Sequence, residues 1–179
     1  MKRDVMKHPQ VVKASAFAYD AHYKQKRKYT GEPYWNHCAS VAAMLAEYDP
    51  DDPELVVAGF LHDTLEDTAT TRDDIKAAFG HGVMHLVHWV TDVPLAHGNR
   101  AQRKEADRAR LNLAPARAQT LKLADLIDNT ASIVEHDPGF AHVYIGEKIA
   151  LLGVLTRGNR ELRNRARQVV AAARAELGI

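Results

Sequence analysis

The sequence has little cysteine and no long hydrophobic run. Cys38 is the single cysteine among 179 residues, which excludes an internal disulfide and any zinc site built on cysteine ligands. No apolar run approaches the ~18 residues that a bilayer-spanning helix needs, and residues 1–10 are too polar for a secretory signal. We therefore expect a cytoplasmic protein with no membrane partner. Any bound metal must be held by histidine and carboxylate side chains, and the chain has ten histidines.

Net charge is also nearly absent, but the charges are unevenly spread. A formal net charge of +1 gives no overall field that would attract nucleic acid, so we expect no nucleic-acid partner. Residues 47–74 hold ten acidic residues and one basic residue, while residues 100–117 and 157–174 are basic. Most of these charges are expected to be solvated helix surface. The layout as a whole would suit a metal ion together with a phosphate-bearing ligand.

The spacing of apolar residues is helical almost throughout, and no alternating strand pattern competes with it. We predict an all-α fold of about eight to ten helices, in one domain spanning residues 1–179. Proline and glycine near the segment ends support the boundaries. The predicted helices are Pro9–Lys26, Trp35–Tyr48, Pro53–Asp67, Arg72–Phe79, Gly82–Val90, Arg100–Leu111, Ala116–Glu135, Gly139–Thr156 and Asn159–Leu177.

The helix predicted from Pro53 begins apolar on every face and then presents four ionisable groups. A helix that is hydrophobic all round is buried, so His62 and Asp63 at its end are expected where solvation is poor. A bound metal ion would satisfy both. Glu66 and Asp67 follow one turn later and are expected to face substrate or water.

Two other predicted helices carry an ionisable group within an apolar face. His37 shares a face with Val41 and Leu45, and Asp125 lies among aliphatic residues. Either residue alone would more often be a hydrogen-bonded core residue. Together with His62 and Asp63 they offer two imidazoles and two carboxylates, which suit a divalent first-row metal with positions left open for water and a phosphate oxygen.

The order His37, His62-Asp63, Asp125 resembles the signature of HD-domain metal phosphohydrolases. More narrowly, residues 25–37, 61–68 and 122–125 resemble the hydrolase domain of the RelA/SpoT homologues, which degrade the alarmone (p)ppGpp in the stringent response. The resemblance implies a stand-alone hydrolase that releases pyrophosphate by direct attack of water on the inner phosphorus of the 3′-diphosphate.

The resemblance also implies the site residues. The implied ligands of a manganese ion, or of another divalent first-row metal, are His37, His62, Asp63 and Asp125. The implied catalytic residues, which activate or position the attacking water, are Glu66 and Asp67. The implied nucleotide contacts are Arg27, Lys28, Asn129 and Ser132, the last of which takes the place of a threonine.

The sequence departs from the family pattern mainly after Asp125. The family commonly has a basic residue, a histidine and an arginine at the positions that Leu126, Asp128 and Ala131 occupy here. Cys38 follows His37, where the family usually has proline. We hypothesise that Arg103, with Arg100 and Lys104, restores positive charge near the phosphates.

Alternatives remain open from the sequence. One is an HD phosphohydrolase for another nucleotide, such as ppApp or a nucleoside phosphate, and another is a non-catalytic helical module stabilised by metal. Self-association is left open as well. Tyr34 is interpreted as a packing anchor rather than as a platform on which a base stacks.

Overall fold

The computed structural model describes residues 4–179, and their regular structure is helical. Two short 3₁₀ helices lie at Val5–Lys7 and Leu95–His97. Within residues 4–179 there is no strand, only an isolated bridge between Lys26 and Pro33, so the all-α prediction is confirmed. The α-helices are α1 (Pro9–Ala21), α2 (Trp35–Tyr48), α3 (Pro53–Leu61), α4 (Thr64–Asp67), α5 (Arg72–Phe79), α6 (His81–Val90), α7 (Arg100–Leu113), α8 (Ala116–His136), α9 (Pro138–Val154) and α10 (Arg160–Glu176).

The chain divides into two compact units, the first ending at Thr91 and the second beginning at Asp92. Helices α1 to α6 belong to the first unit and α7 to α10 to the second. None of the helices in residues 4–179 combines the length and hydropathy that crossing a bilayer requires. The single domain expected for residues 1–179 stays a prediction.

Helix α3 is the core of the first unit. Every residue from Leu55 to Leu61 is buried, and α1, α2 and α6 pack around it. Gly59 allows α2 to approach closely, because a Cβ atom at this position would lie 2.8 Å from Leu45 Cδ1 and 2.9 Å from Ala42 Cα. The two helices that carry His37 and His62 are therefore almost in backbone contact at this point.

The helix predicted over Pro53–Asp67 is interrupted, and that boundary was wrong. Side chains bond the carbonyl oxygens of the last turn of α3: His62 Nδ1 donates to Gly59 O at 2.8 Å, and Thr64 Oγ1 donates to Leu61 O at 2.7 Å. Such local side-chain bonds compete with helical backbone bonds. The chain therefore leaves α3 at the residues that carry the site and resumes as the single turn α4.

Helix α1 ends at Ala21, five residues before the predicted end. The chain turns at His22 and forms a closed loop over residues 22–34, in which the Gln25 N–H donates to His22 O at 2.8 Å. The Tyr34 N–H donates to Gln25 O at 3.0 Å and so closes the loop. Gly31 supplies the positive φ of 71° that the turn needs.

In the second unit, α8 packs against α9 and α10, and its inner face is aliphatic. Leu121, Leu123 and Leu126 are buried, and Asp125 is buried among them with 6% of its surface exposed. The predicted position of Asp125 on an apolar helix face is confirmed.

Candidate metal centre

Three side chains of the first unit bring ligand atoms to one point. His37 Nε2 lies 3.1 Å from His62 Nε2, and Asp63 Oδ2 lies 3.0 Å from His62 Nε2 and 3.4 Å from His37 Nε2. Both histidines are buried, each with 2% of its surface exposed. Ligand atoms bound about 2.1 Å from one ion lie about 3.0 to 3.4 Å apart, so these distances fit a shared metal ion.

The hydrogen bonding of His62 also favours a metal. Its Nδ1 donates to Gly59 O, so in the neutral ring Nε2 is a lone-pair acceptor. That lone pair faces the carboxylate oxygen of Asp63, and two acceptors at 3.0 Å need a proton or a metal ion between them. His37 adds a second imidazole nitrogen at the same point. This donor set suits divalent first-row metals.

The carboxyl of Asp63 is held in its charged form. Burial raises the pKa of Asp63, but the charge of His62 and hydrogen bonds from His37 and His62 outweigh burial, and the pKa lies well below its usual range. Its side chain is 17% exposed. The Asp63 carboxylate is therefore ionised and available to a cation, whereas a His62 ring that is protonated at Nε2 must release that proton when the ion binds.

Two residues of the loop 22–34 contact the carboxylates that follow α3. The Tyr34 hydroxyl donates to Asp63 Oδ2 at 2.7 Å, and Gln25 Nε2 donates to Asp67 Oδ2 at 2.8 Å. Glu66 and Asp67 are both exposed, as expected for groups that face substrate or water. The Asp67 N–H donates to Asp63 O at 2.9 Å, which places the carboxylates one turn apart.

Asp125 lies in the second unit, where two side chains orient it. Lys122 Nζ lies 3.0 Å from Asp125 Oδ2, and Asn129 Nδ2 donates to Asp125 Oδ1 at 2.6 Å. Lys122 also lies 3.5 Å from Asp92 Oδ1. The buried carboxylate therefore has a cation and an amide donor as neighbours within its own unit.

The predicted nucleotide contacts are spread over both units. In the first unit, Arg27 is half-buried, and Lys28 is exposed with Nζ donating to Tyr29 Oη at 3.1 Å. In the second unit, Ser132 is half-buried and its carbonyl oxygen accepts from His136 Nδ1 at 2.9 Å. Their contact with a nucleotide stays a prediction.

The three basic residues hypothesised to restore phosphate charge have protein partners. Arg100 forms two hydrogen bonds with Glu147, at 2.7 and 2.8 Å, and Lys104 pairs with Asp92. Arg103 Nη1 donates to Gly98 O at 2.7 Å, and this neutral carbonyl does not neutralise the guanidinium charge. Of the three, Arg103 is the one that has no carboxylate partner among the residues 4–179.

Sequence reasoning missed the roles of Tyr34, Gln25 and His22. Tyr34 was interpreted as a packing anchor, but its hydroxyl contacts Asp63. His22 Nδ1 bonds Gln25 Oε1 at 2.6 Å. The sequence offered a signal, since Gln25 and Tyr34 lie within the first of the three motif segments. The sequence could not show which residues they contact, because Asp63 and Asp67 lie more than 25 residues further along the chain.

Comparisons with known proteins identify the family of this chain. Residues 14–144 match the family described as "HD domain". A guanosine-3′,5′-bis(diphosphate) 3′-pyrophosphohydrolase of Aquifex aeolicus is 42% identical over 128 residues, covering 69% of this chain and 18% of that protein. A probable chloroplastic GTP diphosphokinase of Arabidopsis thaliana is 39% identical over 144 residues, covering 77% of this chain and 20% of that protein. The chain thus spans about a fifth of the length of these curated relatives.

A solved structure is also similar. The structure of a metazoan SpoT ortholog, described as hydrolysing ppGpp and playing a role in starvation responses, matches with a TM-score of 0.83 at 25% identity. The match covers 92% of this chain and 95% of that chain. The resemblance predicted from three short motifs is confirmed by these matches.

Proposed function

The chain belongs to the HD-domain family, and from this we propose that it is a metal-dependent hydrolase that removes the 3′-diphosphate of (p)ppGpp as pyrophosphate. The observation that carries the proposal is the convergence of His37, His62 and Asp63 one turn before an exposed acidic pair. The Aquifex relative is named for this reaction, and the metazoan structure is of a protein described as hydrolysing ppGpp.

The proposed metal is Mn²⁺, and the proposed ligands are His37, His62, Asp63 and Asp125. What supports Asp125 is its burial, its orientation by Lys122 and Asn129, and its place in the motif. When bound, a divalent ion lowers the pKa of water and polarises the phosphoryl oxygen.

The reaction we propose is a direct displacement by water. Glu66 or Asp67 accepts a proton from the attacking water, whose oxygen forms a bond to the inner phosphorus of the 3′-diphosphate. The bond from that phosphorus to the ribose 3′-oxygen breaks, the 3′-oxygen takes up a proton, and pyrophosphate is released. The products are GDP or GTP and pyrophosphate, and no side chain is phosphorylated.

The proposed nucleotide contacts divide by chemistry. Arg27 and Lys28 offer positive charge to the diphosphate groups, and Arg103 adds a third cation. Asn129 and Ser132 offer polar groups to the ribose. The nucleotide is the proposed partner, and the proposed location is the cytoplasm, because such a highly charged substrate does not cross a membrane unaided.

The proposal is tested with Mn²⁺-loaded protein and a panel of ppGpp, pppGpp, ppApp and common nucleotides, with identification of the products. We expect GDP and pyrophosphate from ppGpp. Glu66→Gln should lower turnover at least 100-fold and leave Mn²⁺ affinity unchanged, while Glu176→Gln, at an exposed position in α10, should leave both unchanged. Absence of turnover of every nucleotide in the panel would refute the proposed function.

A second candidate substrate class is another 3′-pyrophosphorylated nucleotide, such as ppApp. It is kept because Leu126, Asp128 and Ala131 depart from the family pattern on the substrate side of the site. Preference for ppApp over ppGpp in the panel would replace the guanine nucleotide in the proposal and leave the chemistry unchanged. A metal-stabilised module without catalysis predicts metal binding and no product.

A further inference from the structure

The loop 22–34 makes contact with two carboxylates of different assigned roles. Tyr34 donates to Asp63, a proposed metal ligand, and Gln25 donates to Asp67, a proposed catalytic residue. These two carboxylates lie one turn apart. A single loop therefore sets the orientation of both groups at once.

His22 supports both of these contacts from behind. Its Nδ1 donates to Gln25 Oε1 at 2.6 Å, and its ring lies against the Tyr34 ring with the centroids 5.0 Å apart and the planes inclined by 33°. His22 is buried, with 2% of its surface exposed. Among residues 4–179, its Nε2 is buried and has no hydrogen-bond partner. The polar function of this imidazole is thus directed at Gln25.

The hydrogen bonds from His22 to Asp67 run in one direction. The Asp67 carboxylate can only accept, so it must face the amide nitrogen of Gln25, and Oε1 then faces His22. Rotating the amide by 180° would place Oε1 against the carboxylate and break both bonds. Because Nε2 has no partner among residues 4–179, the ring proton is favoured on Nδ1, and His22 then supports the amide orientation that donates to Asp67.

The backbone of Gln25 is fixed as well. Its N–H donates to His22 O at 2.8 Å, and its carbonyl oxygen accepts from the Tyr34 N–H at 3.0 Å. Backbone and side chain are each held at two points, so the position of the amide is determined before any ligand binds. Such preorganisation lowers the cost of orienting a group during the reaction.

We propose that His22 and Gln25 are positioning residues, which hold the Asp67 carboxylate in the orientation it needs to act on the attacking water. This inference rests on the proposed function, since it takes the role of Asp67 from it. Asp67 is exposed, and an exposed aspartate samples several rotamers unless a partner selects one. A proton acceptor must lie within about 3 Å of the water that it deprotonates, so the lost orientation lowers turnover rather than substrate binding.

The kinetic test uses variants of Gln25 and His22 in the full chain, with Mn²⁺ and the nucleotide that the parent hydrolyses best. Gln25→Leu removes the amide, and Gln25→Glu keeps the acceptor for His22 but replaces the donor to Asp67 with a carboxylate. We expect kcat to fall about 10- to 100-fold in both, with KM changed less than threefold. Gln168→Leu, at an exposed position in α10, is the matched control and should keep the parent kcat.

His22 supplies a rescue test, because only one of its ring nitrogens is used. His22→Asn places an amide donor near the position of Nδ1 and should retain kcat within about threefold. His22→Gln places its amide near the position of Nε2 and should lose kcat as Gln25→Leu does. Melting temperature and bound Mn²⁺ are measured for every variant, so that a variant that fails to fold or to bind metal is identified and set apart.

A readout independent of turnover is the ¹⁵N spectrum of the Gln25 side-chain amide. In the parent, the protons of this amide should exchange slowly with solvent, and their chemical shifts should differ from those of a solvent-exposed glutamine amide. Asp67→Ala and His22→Gln should both shift these signals to the chemical shifts of a solvent-exposed amide, and His22→Asn should leave them where they are in the parent. If the parent itself shows the chemical shifts of a solvent-exposed amide, the proposed contact is wrong, whether or not the protein is a hydrolase.

The outcomes separate the two proposals. If no nucleotide is hydrolysed but the amide signals behave as expected, the proposed function fails and the contact with Asp67 stands without a catalytic role. If nucleotides are hydrolysed and Gln25→Leu has the parent kcat, the positioning role is wrong and the proposed function stands. If the variants of His22 and Gln25 all show a raised KM and a lowered melting temperature, the two residues have a purely structural role.

Discussion

Tyr34 donates a hydrogen bond of 2.7 Å to Asp63 Oδ2, and the same oxygen lies 3.0 Å from His62 Nε2. The tyrosine hydroxyl therefore orients the carboxylate oxygen that is proposed to bind the metal. Groups that orient metal ligands in this way affect metal affinity although they do not touch the ion.

Tyr34→Phe is expected to weaken Mn²⁺ binding by about 10- to 100-fold, because Asp63 loses the donor that fixes its carboxylate. The ring and its contact with His22 are retained. Isothermal titration with Mn²⁺ measures the change. Tyr19→Phe, at a tyrosine of α1 with 48% of its surface exposed, should bind Mn²⁺ as the parent does, and equal affinities of parent and Tyr34→Phe would show that the hydroxyl has no such role.

Gly59→Ala is expected to lower the free energy of unfolding by about 1 to 3 kcal/mol and to weaken Mn²⁺ binding. The added Cβ would lie 2.9 Å from a backbone atom of Ala42, so α2 and α3 must separate, and His37 must move from His62. Urea unfolding measures the stability. Gly146→Ala in α9, where a Cβ meets nothing within 4 Å, should instead stabilise by about 0.5 to 1 kcal/mol.

Metal removal is expected to lower the melting temperature reversibly. Binding to the folded state alone stabilises it by about 2.7 kcal/mol when the free ion is at 100 times its dissociation constant. Scanning calorimetry with Mn²⁺ and then with excess chelator measures the shift. His62→Ala should abolish the response and Asp125→Asn should reduce it, whereas His142→Ala, at an exposed histidine of α9, should leave it intact. A full response in Asp125→Asn would remove Asp125 from the ligand set.

Lys148→Met is expected to stabilise the protein at pH 7. Burial and the charge of Lys122 lower the pKa of Lys148 from 10.5 to about 8, although Asp125 and Asp92 partly oppose the shift. Below pH 8, Lys148 is charged in both the folded and the unfolded protein, and keeping this charge buried lowers the stability of the folded state. Between pH 8 and 10.5 the folded protein has already released the proton that the unfolded chain keeps, so the stability of the parent rises.

The advantage of Lys148→Met in urea unfolding should therefore be largest at pH 7 and narrow as the pH approaches 10. Lys76→Met, at an exposed lysine of α5, should show no such trend. A constant difference between Lys148→Met and the parent over this range would contradict the lowered pKa.

Much of the helical structure followed from local pattern. Trp35–Tyr48 and Arg72–Phe79 begin and end as predicted, because caps and apolar spacing are local properties that the chain carries with it. The larger errors fall at Ala21 and Leu61, where the helices end five and six residues before the predicted ends. At Leu61 the terminating bonds come from the side chains of His62 and Thr64, and apolar periodicity carries no record of such bonds.

The sequence by itself determined that the chain is all-α, that no cysteine site or disulfide is available, and that His37, His62, Asp63 and Asp125 stand out as ionisable groups in apolar surroundings. Periodicity and composition suffice for these conclusions, because each depends on residues close together in the chain. Only the tertiary structure decided that Gly59 lets α2 and α3 approach until two imidazoles and a carboxylate share one point, and that the loop after α1 reaches Asp63 and Asp67. Those relationships join residues far apart in sequence, and packing alone sets their distances.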